Sequence, residues 1–565
     1  MGLRGSRQRA PMTRFTHAFA SIRRVKRFIA FALAVAAAFA AQAAPPRLEK
    51  HGSTQQLLVG GKPFLILGGE LGNSSASSAD YLRPHWPRLK AMNLNTVLAP
   101  VEWDLVEPVE GQFDWTSVDE LLRDARAHDL KLVILWFGAW KNSMSTYVPS
   151  WVKRDQQRFP RAQLANGSSV EILSAFSANT RDADVRAFCA FLEYLKRVDG
   201  DKNTVLMVQV ENEIGMLPIA RERGAAADKL FAGPVPAELL RELGARGAKI
   251  EPELRERWQK NGRKTAGTWA QVFGDDESGA EVFTAWHYAR FVESLVTAGK
   301  KRYDIPMYVN AALNRTGRKP GEYPSGGPLP HLLDVWKAGA PSLDFLAPDI
   351  YFPNFAQLAA RFHRADNMLF IPEANNATNS QGPANAFYAF GELDALGFSP
   401  FSIESLGDAP NALSRAYEVL GQLAPVIVEN RGKSRMAGFR ARIEEDGSPV
   451  DTPVKKVLGD IEFTVTFIDP WTPRDKQTIA DHGGLLIYAG GEDFWVAGQG
   501  ITVTMRGVDG PPLVGIDVAE EGVLDAHGKW ISGRRLNGDQ THQGRHIRLA
   551  PGQFQIQKVR LYRYR

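Results

Sequence analysis

The chain has 565 residues, 44% hydrophobic and 23% charged, which excludes a disordered or fibrous protein and leaves room for a barrel of ~250 residues plus a further domain. Its formal charge is +5, but Arg4, Arg7, Arg9, Arg14, Arg23, Arg24, Lys26 and Arg27 contribute +8 with no acid before residue 44, so the rest carries −3. The basic balance therefore belongs to the N-terminus and gives no footprint for a nucleic-acid partner.

Residues 1–43 have the three parts of a secretory signal peptide: a charged region ending at Arg27, an apolar run from Phe28 to Ala40, and the small-residue site Ala41-Gln42-Ala43. A bilayer takes ~20 apolar residues, more than this run offers, so we expect export, to a Gram-negative periplasm or beyond, without stable membrane insertion. The single cysteine, Cys189, sits in the helical pattern Val185, Phe188, Phe191, Leu192 and is expected to be a buried thiol; no disulfide is possible within one chain.

From Leu57 onward short apolar runs alternate with amphipathic segments, as repeated βα units do. Strands are expected at Phe64 to Leu67, Asn95 to Val101, Lys131 to Phe137, Thr204 to Val210, Ile305 to Val309, Phe345 to Ala347, Met368 to Ile371 and Phe398 to Ile403. Helices are expected at Trp86 to Met92, Val118 to His128, Asp182 to Val198 and Val282 to Lys300. Eight strands with intervening helices predict an α/β fold, a (β/α)₈ TIM barrel over 44–430. No Gly-x-Gly-x-x-Gly follows the first strand, which disfavours a dinucleotide enzyme. A helical insertion at 216–279 follows the fourth strand, either projecting over the catalytic face or forming a solvated appendage. From 431 to 565 short alternating segments separated by Gly, Pro and Asp predict an all-β, sandwich-like domain, in which Trp495 and Trp530 are candidate exposed aromatics.

The fourth strand ends in Glu211-Asn212-Glu213 and the seventh in Glu373. Strand ends are where such barrels do chemistry, and the fourth and seventh face one another across the mouth. Two carboxylates so placed suit a retaining glycosidase, which needs one nucleophile and one general acid/base. Glu213 is the acid/base candidate, with Asn212 as a donor to a sugar 2-hydroxyl, and Glu373 the nucleophile, held ionised and oriented by Tyr351 at the end of the sixth strand. A negative Glu373 would in turn raise the pKa of Glu213. Glu211 is read as a bystander that points away from Glu213, a solvated loop acid or salt-bridge partner. Glu70, Asn73, Glu102, Trp140, Asn142 and Glu404, all at or just beyond strand ends, are candidate sugar contacts, while Trp103 is expected to pack. No His-Glu-x-x-His, Cys-x-x-Cys or nucleophile-elbow motif is present, so metalloprotease, zinc and serine-hydrolase readings lack support.

Val208 to Gly215 resembles the acid/base motif of family-35 β-galactosidases. Asn95 to Trp115, with Trp103, Glu107-Pro108, Gly111-Gln112-Phe113 and Asp114-Trp115, resembles that family's second-strand block, and the likeness spans roughly 50–425. It implies hydrolysis of terminal β-D-galactose with retention, from plant-type oligosaccharides such as xyloglucan fragments, with no cofactor and no metal. Three loops depart from the family: Pro100 stands where a Tyr closes the second strand, Trp140-Lys141-Asn142-Ser143 replaces Cys-Ala-Glu-Trp, and Gly69-Glu70-Leu71-Gly72-Asn73 replaces a Gly-Ser-Ile-His-Tyr type loop. The same mechanism on a β-glucoside or α-L-arabinoside, or a non-catalytic carbohydrate-binding barrel, are the alternatives. The sequence implies no oligomeric state.

Overall fold

The structure is a computed structural model that describes residues 1–2, 5–6 and 44–565; the expected signal peptide lies largely outside the described residues. The chain divides into a short unit, 1–44, and a large one, 45–565, to which all that follows refers. Among the described residues no helix is long and apolar enough to cross a membrane.

Eight parallel strands form the centre: β1 (Ile66–Glu70), β2 (Thr96–Glu102), β3 (Lys131–Lys141), β4 (Val205–Asn212), β5 (Met307–Ala312), β6 (Phe345–Ile350), β7 (Glu373–Ala374) and β8 (Gly397–Phe398). They pair in the order β7-β6-β5-β4-β3-β2-β1-β8, and bridges Ile371↔Phe398 and Asn376↔Phe401 close the ring between β7 and β8. Eight helices follow the strands in turn: α1 (Trp86–Ala91), α2 (Thr116–Ala127), α3 (Ala178–Asp199), α4 (Glu277–Lys300), α5 (Leu333–Gly339), α6 (Phe355–Phe362), α7 (Gly382–Glu392) and α8 (Ala412–Asn430). The fold is the expected TIM-type barrel. A three-stranded antiparallel sheet, Arg47–His51, Thr54–Val59 and Lys62–Phe64, precedes it and was not anticipated.

Alternation along the strands builds two cores. Ile66, Leu98, Val133, Leu135, Phe137, Tyr308, Phe345 and Phe370 fill the barrel interior. Their neighbours Leu67, Val97, Ala99, Ile134, Trp136 and Val309 face the helices. Met368–Ile371 forms no continuous ladder, only the isolated bridge from Ile371 to Phe398, the named strand being Glu373–Ala374, and Ile403 lies in a 3₁₀ turn rather than in the eighth strand.

The insertion is no solvated appendage. Its four helices, Ala225–Ala232, Ala237–Arg246, Pro252–Lys260 and Trp269–Phe273, bury Leu239, Leu243, Trp258 and Trp269 in the main core. Phe231 and Trp269 meet Phe283 of α4 edge-on, and Arg246 pairs with Asp334 of α5 at 3.1 Å. Cys189 is half-buried beside Arg302 rather than a core thiol, because its place on α3 lies at the edge of the apolar stripe.

Beyond α8 the chain is all β: a six-stranded and a four-stranded sheet with a two-stranded hairpin, Arg442–Ile443 and Pro449–Val450. Phe439, Leu486, Phe494 and Val496 of the larger sheet meet Phe463, Val465, Val503 and Ile547 of the smaller, forming a sandwich core. Their alternates Leu485, Ile487, Trp495 and Ala497 join the barrel's core instead. Trp495 is thereby buried and Trp530 half-buried against it, ring centroids 5.1 Å apart. The expectation of two exposed aromatics is corrected: the pair braces the seam.

Candidate active site

The barrel's interior register changes chemistry at its C-terminal end. Ile66 and Gly68 lead by alternation to Glu70, Tyr308 leads to Asn310, and Phe345 and Ala347 lead to Asp349, so that an apolar layer is capped by an acidic one. One carboxylate oxygen from each of Glu213, Asp349 and Glu373 lies within 4.8 Å of the others. All three are buried, and Glu70 beneath them is wholly so.

Neutral donors hold the three acids. Tyr351 donates its hydroxyl to Glu373 Oε2 at 2.5 Å, Asn310 Nδ2 to Asp349 Oδ2 at 2.6 Å, and Asn142 Nδ2 to Glu213 Oε2. The Glu213 backbone N–H is fixed on Asn310 Oδ1 at 2.9 Å, which ties the end of β4 to β5. Among the described residues the cation acting on this group is Lys141, buried, with Nζ 2.8 Å from Asn212 Oδ1 and 5.1 Å from the Phe137 ring centroid. Asn212 Nδ2 is buried and meets no acceptor among the described residues, a donor free for a ligand.

Burial, then the charge of Glu373, pushes the Glu213 carboxyl up to about 7, against the opposing pull of Lys141. Burial and Glu373 likewise hold Glu70 and Asp349 well above the usual carboxylate range. Among the described residues no other donor reaches either oxygen of Glu70 or Oε1 of Glu373, so a proton on Glu70 lets its hydroxyl donate to Glu373. The spacing of the acidic triad would also suit a metal ion, but Asn142, Asn310 and Tyr351 each engage one carboxylate oxygen and Lys141 supplies the positive charge.

The mouth carries a cluster of non-glycine residues in the left-handed region: Asn142 (φ 48°), Ser143 (φ 69°), Glu211 (φ 61°), Glu213 (φ 45°), Asn375 (φ 53°) and Ser402 (φ 55°). Such backbone costs about 1–3 kcal/mol per residue and persists where the surroundings enforce it. At β4 it also decides the two glutamates. Residues two apart on a strand share a face, but left-handed turns at both send Glu211 behind β3 while Glu213 faces the mouth. Glu211 is thus neither solvated nor salt-bridged. Its Oε2 accepts the Trp140 N–H at 2.8 Å, and it pairs with Asp184, which accepts Trp136 Nε1 at 3.0 Å and the Ala139 N–H at 3.1 Å. A Cβ at Gly138 would stand 2.8 Å from Glu211 Oε1, so only glycine passes there.

Trp140 requires a second correction: it is fully buried, its Nε1 donating to the Leu173 carbonyl at 3.2 Å and its ring packed edge-on against Tyr288 and Phe291, so it has no face for a sugar. The cause is that β3 runs on to Lys141, placing Trp140 on the outward face. Glu404 is buried and engaged by the loop after β1, accepting the Gly72 N–H at 2.9 Å and the Ser75 hydroxyl at 2.5 Å. Asn73 Oδ1 and Glu102 Oε1 are buried without partners, and burial followed by Asp104 pushes Glu102 up to about 7. Trp103 packs as expected, fully buried with Nε1 on Glu107 at 2.8 Å. Asp349, Asn310 and Lys141 are the site residues that sequence reasoning missed; the alternation Phe345, Ala347, Asp349, Tyr351 was the available signal for the first.

Residues 78–232 match a family model described as beta-galactosidase, of the glycoside hydrolase 42 type. The matched stretch carries β2 to β4 and Glu213. Residues 413–548 match a domain of unknown function, DUF5597. A curated β-galactosidase from Xanthomonas manihotis is 32% identical over 109 residues, 19% of this chain and only 18% of that protein. Among solved structures, the β-galactosidase of the psychrophilic Marinomonas ef1 aligns with TM-score 0.43 and 13% identity, over 64% of this chain and 60% of that one. The catalytic domain of a β-amylase from Paenibacillus polymyxa aligns with TM-score 0.44 and 12% identity, over 62% and 97%. The family model that matches is of the 42 type, whereas the motifs resemble family 35.

Proposed function

We propose that the protein is an exported, periplasmic retaining exo-β-galactosidase that removes terminal β-D-galactosyl residues from oligosaccharides of the plant cell-wall, xyloglucan-fragment kind. The observation that carries this reading is the approach of Glu213 and Glu373 to within 4.8 Å, oxygen to oxygen, across the barrel mouth. Carboxyl groups ~5–5.5 Å apart belong to glycosidases that form a covalent intermediate; inverting enzymes need more room for a water.

Glu213, buried and protonated up to about pH 7, gives its proton to the glycosidic oxygen as the bond to the anomeric carbon breaks. Glu373, oriented by Tyr351, attacks that carbon from the opposite face and forms a glycosyl ester. Glu213, now a carboxylate, takes a proton from the incoming water, whose oxygen displaces Glu373 with a second inversion. Asn212 Nδ2 is the free donor for the sugar 2-hydroxyl, its orientation set by the Lys141 bond to Oδ1. The family-35 likeness of Val208 to Gly215 supports the acid/base assignment, and the β-galactosidase domain over 78–232 supports the sugar.

The rewritten loops after β1, β2 and β3 favour a second reading, the same mechanism on a β-glucoside or α-L-arabinoside. A panel of aryl glycosides, with NMR of the first-formed anomer, decides both points. Fastest turnover of the β-galactoside with a β-anomer first supports the proposal; a first-formed anomer opposite to that of its substrate ends the retaining mechanism, and a faster glucoside or arabinoside replaces the sugar.

A further inference from the structure

A cavity of about 370 Å³ opens beside the catalytic pair, sharing Tyr351 with it. Its walls come from the segment after β5 (Asn314 to Thr316), the segment after β6 (Phe352 to Asn354), Leu358 of α6, and Glu445 at the tip of the Arg442–Val450 hairpin of the β region. That hairpin is fastened over the barrel: Thr316 donates its hydroxyl to Glu445 Oε1 at 2.6 Å, and Gln357 Nε2 of α6 donates to the Ile443 carbonyl at 3.2 Å.

We infer that this cavity is the aglycone site, which binds the saccharide left after the terminal sugar departs, and that the β-region hairpin forms one of its walls. The inference rests on the catalytic reading above. A general acid must stand on the leaving group's side of the scissile bond, and a Glu213 carboxylate oxygen lies within 4.8 Å of one from Asp349 at the end of β6, so the aglycone leaves over β5 and β6, where the cavity opens. Tyr351, 39% exposed with its hydroxyl on Glu373, forms the threshold between the two.

The lining has the chemistry of a sugar-binding surface. Phe352, Pro353 and Leu358 offer apolar area to the C–H face of a pyranose, while Arg315, Glu445 and Asn354 ring it with polar groups. Asn354 Oδ1 is buried with no protein donor, an acceptor that a sugar hydroxyl would satisfy. Arg315 lies 5.4 Å from the Phe352 ring centroid, a cation that a ligand hydroxyl can share.

The test compares two substrates on the full chain and on Glu445→Ala and Phe352→Ala variants. β-Galactosyl fluoride releases only a fluoride ion as its leaving group and places no saccharide in the cavity; a β-galactosyl-terminated trisaccharide must place one there. Loss of about tenfold or more in kcat/KM for the trisaccharide, with the fluoride within about twofold of the parent, is the expected result. Equal losses on both substrates, or none on either, overturn the inference. Glu445 is exposed, so its truncation leaves the fold in place. If the unaltered chain cleaves no glycosyl fluoride, the catalytic reading fails instead, and the cavity is judged by calorimetric titration with the same trisaccharide. Binding weakened by the two variants then supports the site, and unchanged binding overturns it.

Discussion

Glu213 carries opposing influences that set when it works. Burial and Glu373 push its carboxyl up to about 7 and Lys141 pulls it down, so the proton that the proposed general acid would give to the leaving group is lost as pH rises through that value. The alkaline limb of kcat/KM should therefore fall above about pH 7. Lys141→Met removes the downward pull, and that limb should move to higher pH, read directly from the profile; an unmoved limb would deny Lys141 any influence on Glu213. Glu213→Gln should lose about 10²–10⁴-fold on substrates with poor leaving groups, far less on activated ones, with azide yielding a glycosyl azide. Equal losses for all leaving groups and no azide product would remove Glu213 from that role. The positions of Glu213, Glu373 and Tyr351 were legible because each closes an apolar run. Asp349 and Glu70 could be placed in the interior by counting in twos from Phe345 and Ile66, whereas the Asn142 contact with Glu213 depends on a left-handed backbone that no residue pattern announces.

At the scale of elements, the joint between β3 and β4 is an acid pair sealed from water. Burial first, and then Asp184, hold Glu211 well above its ordinary range, so the folded state binds a proton that the unfolded chain releases above the usual carboxylate pKa. Its contribution to stability is complete below that pKa and is lost as pH rises toward the elevated one. Glu211→Gln keeps a donor for Asp184 and an acceptor for the Trp140 N–H. It should cost no more than about 1 kcal/mol at low pH and make stability less steep on the alkaline side, measured by denaturant unfolding across pH. A slope unchanged from the parent would locate the linked proton elsewhere. Element existence was largely legible, since the alternation of apolar runs with helical segments survives in the chain itself. The ends of β3, β7 and β8 were not, because hydrogen bonding across the ring decides them: β3 continues through Gly138 to Lys141, which is why Trp140 faces the core and not a sugar.

Across the whole molecule the barrel and the β region share one seam. A Cβ on Gly391 of α7 would stand 2.7 Å from Leu485 Cβ and 2.9 Å from Gly438 Cα, so the helix lies directly on the larger sheet. Gly391→Leu should destabilise by about 1–3 kcal/mol through overpacking and, if the seam is continuous, lower a single calorimetric transition rather than split it in two. The break in texture after Asn430 was plain in the sequence; that one face of the new sheet completes the barrel's core was not, since alternation reveals two apolar faces without naming what covers each.

That seam also bears on how such a chain can be recombined. Leu485, Ile487, Trp495 and Ala497 need the surface of the last barrel helices to be covered, and the Leu524 N–H of the same sheet donates to Gln422 of α8 at 3.1 Å. The unit that covers its own sheet is then the β region together with α7 and α8, not the strands alone, whereas the domain match begins at residue 413, inside α8 and beyond α7. A transplant cut at the linker, or before Ala412, would carry away a sheet without the helix that lies on Leu485 and Gly438, whereas one cut before Gly382 would bring its own cover.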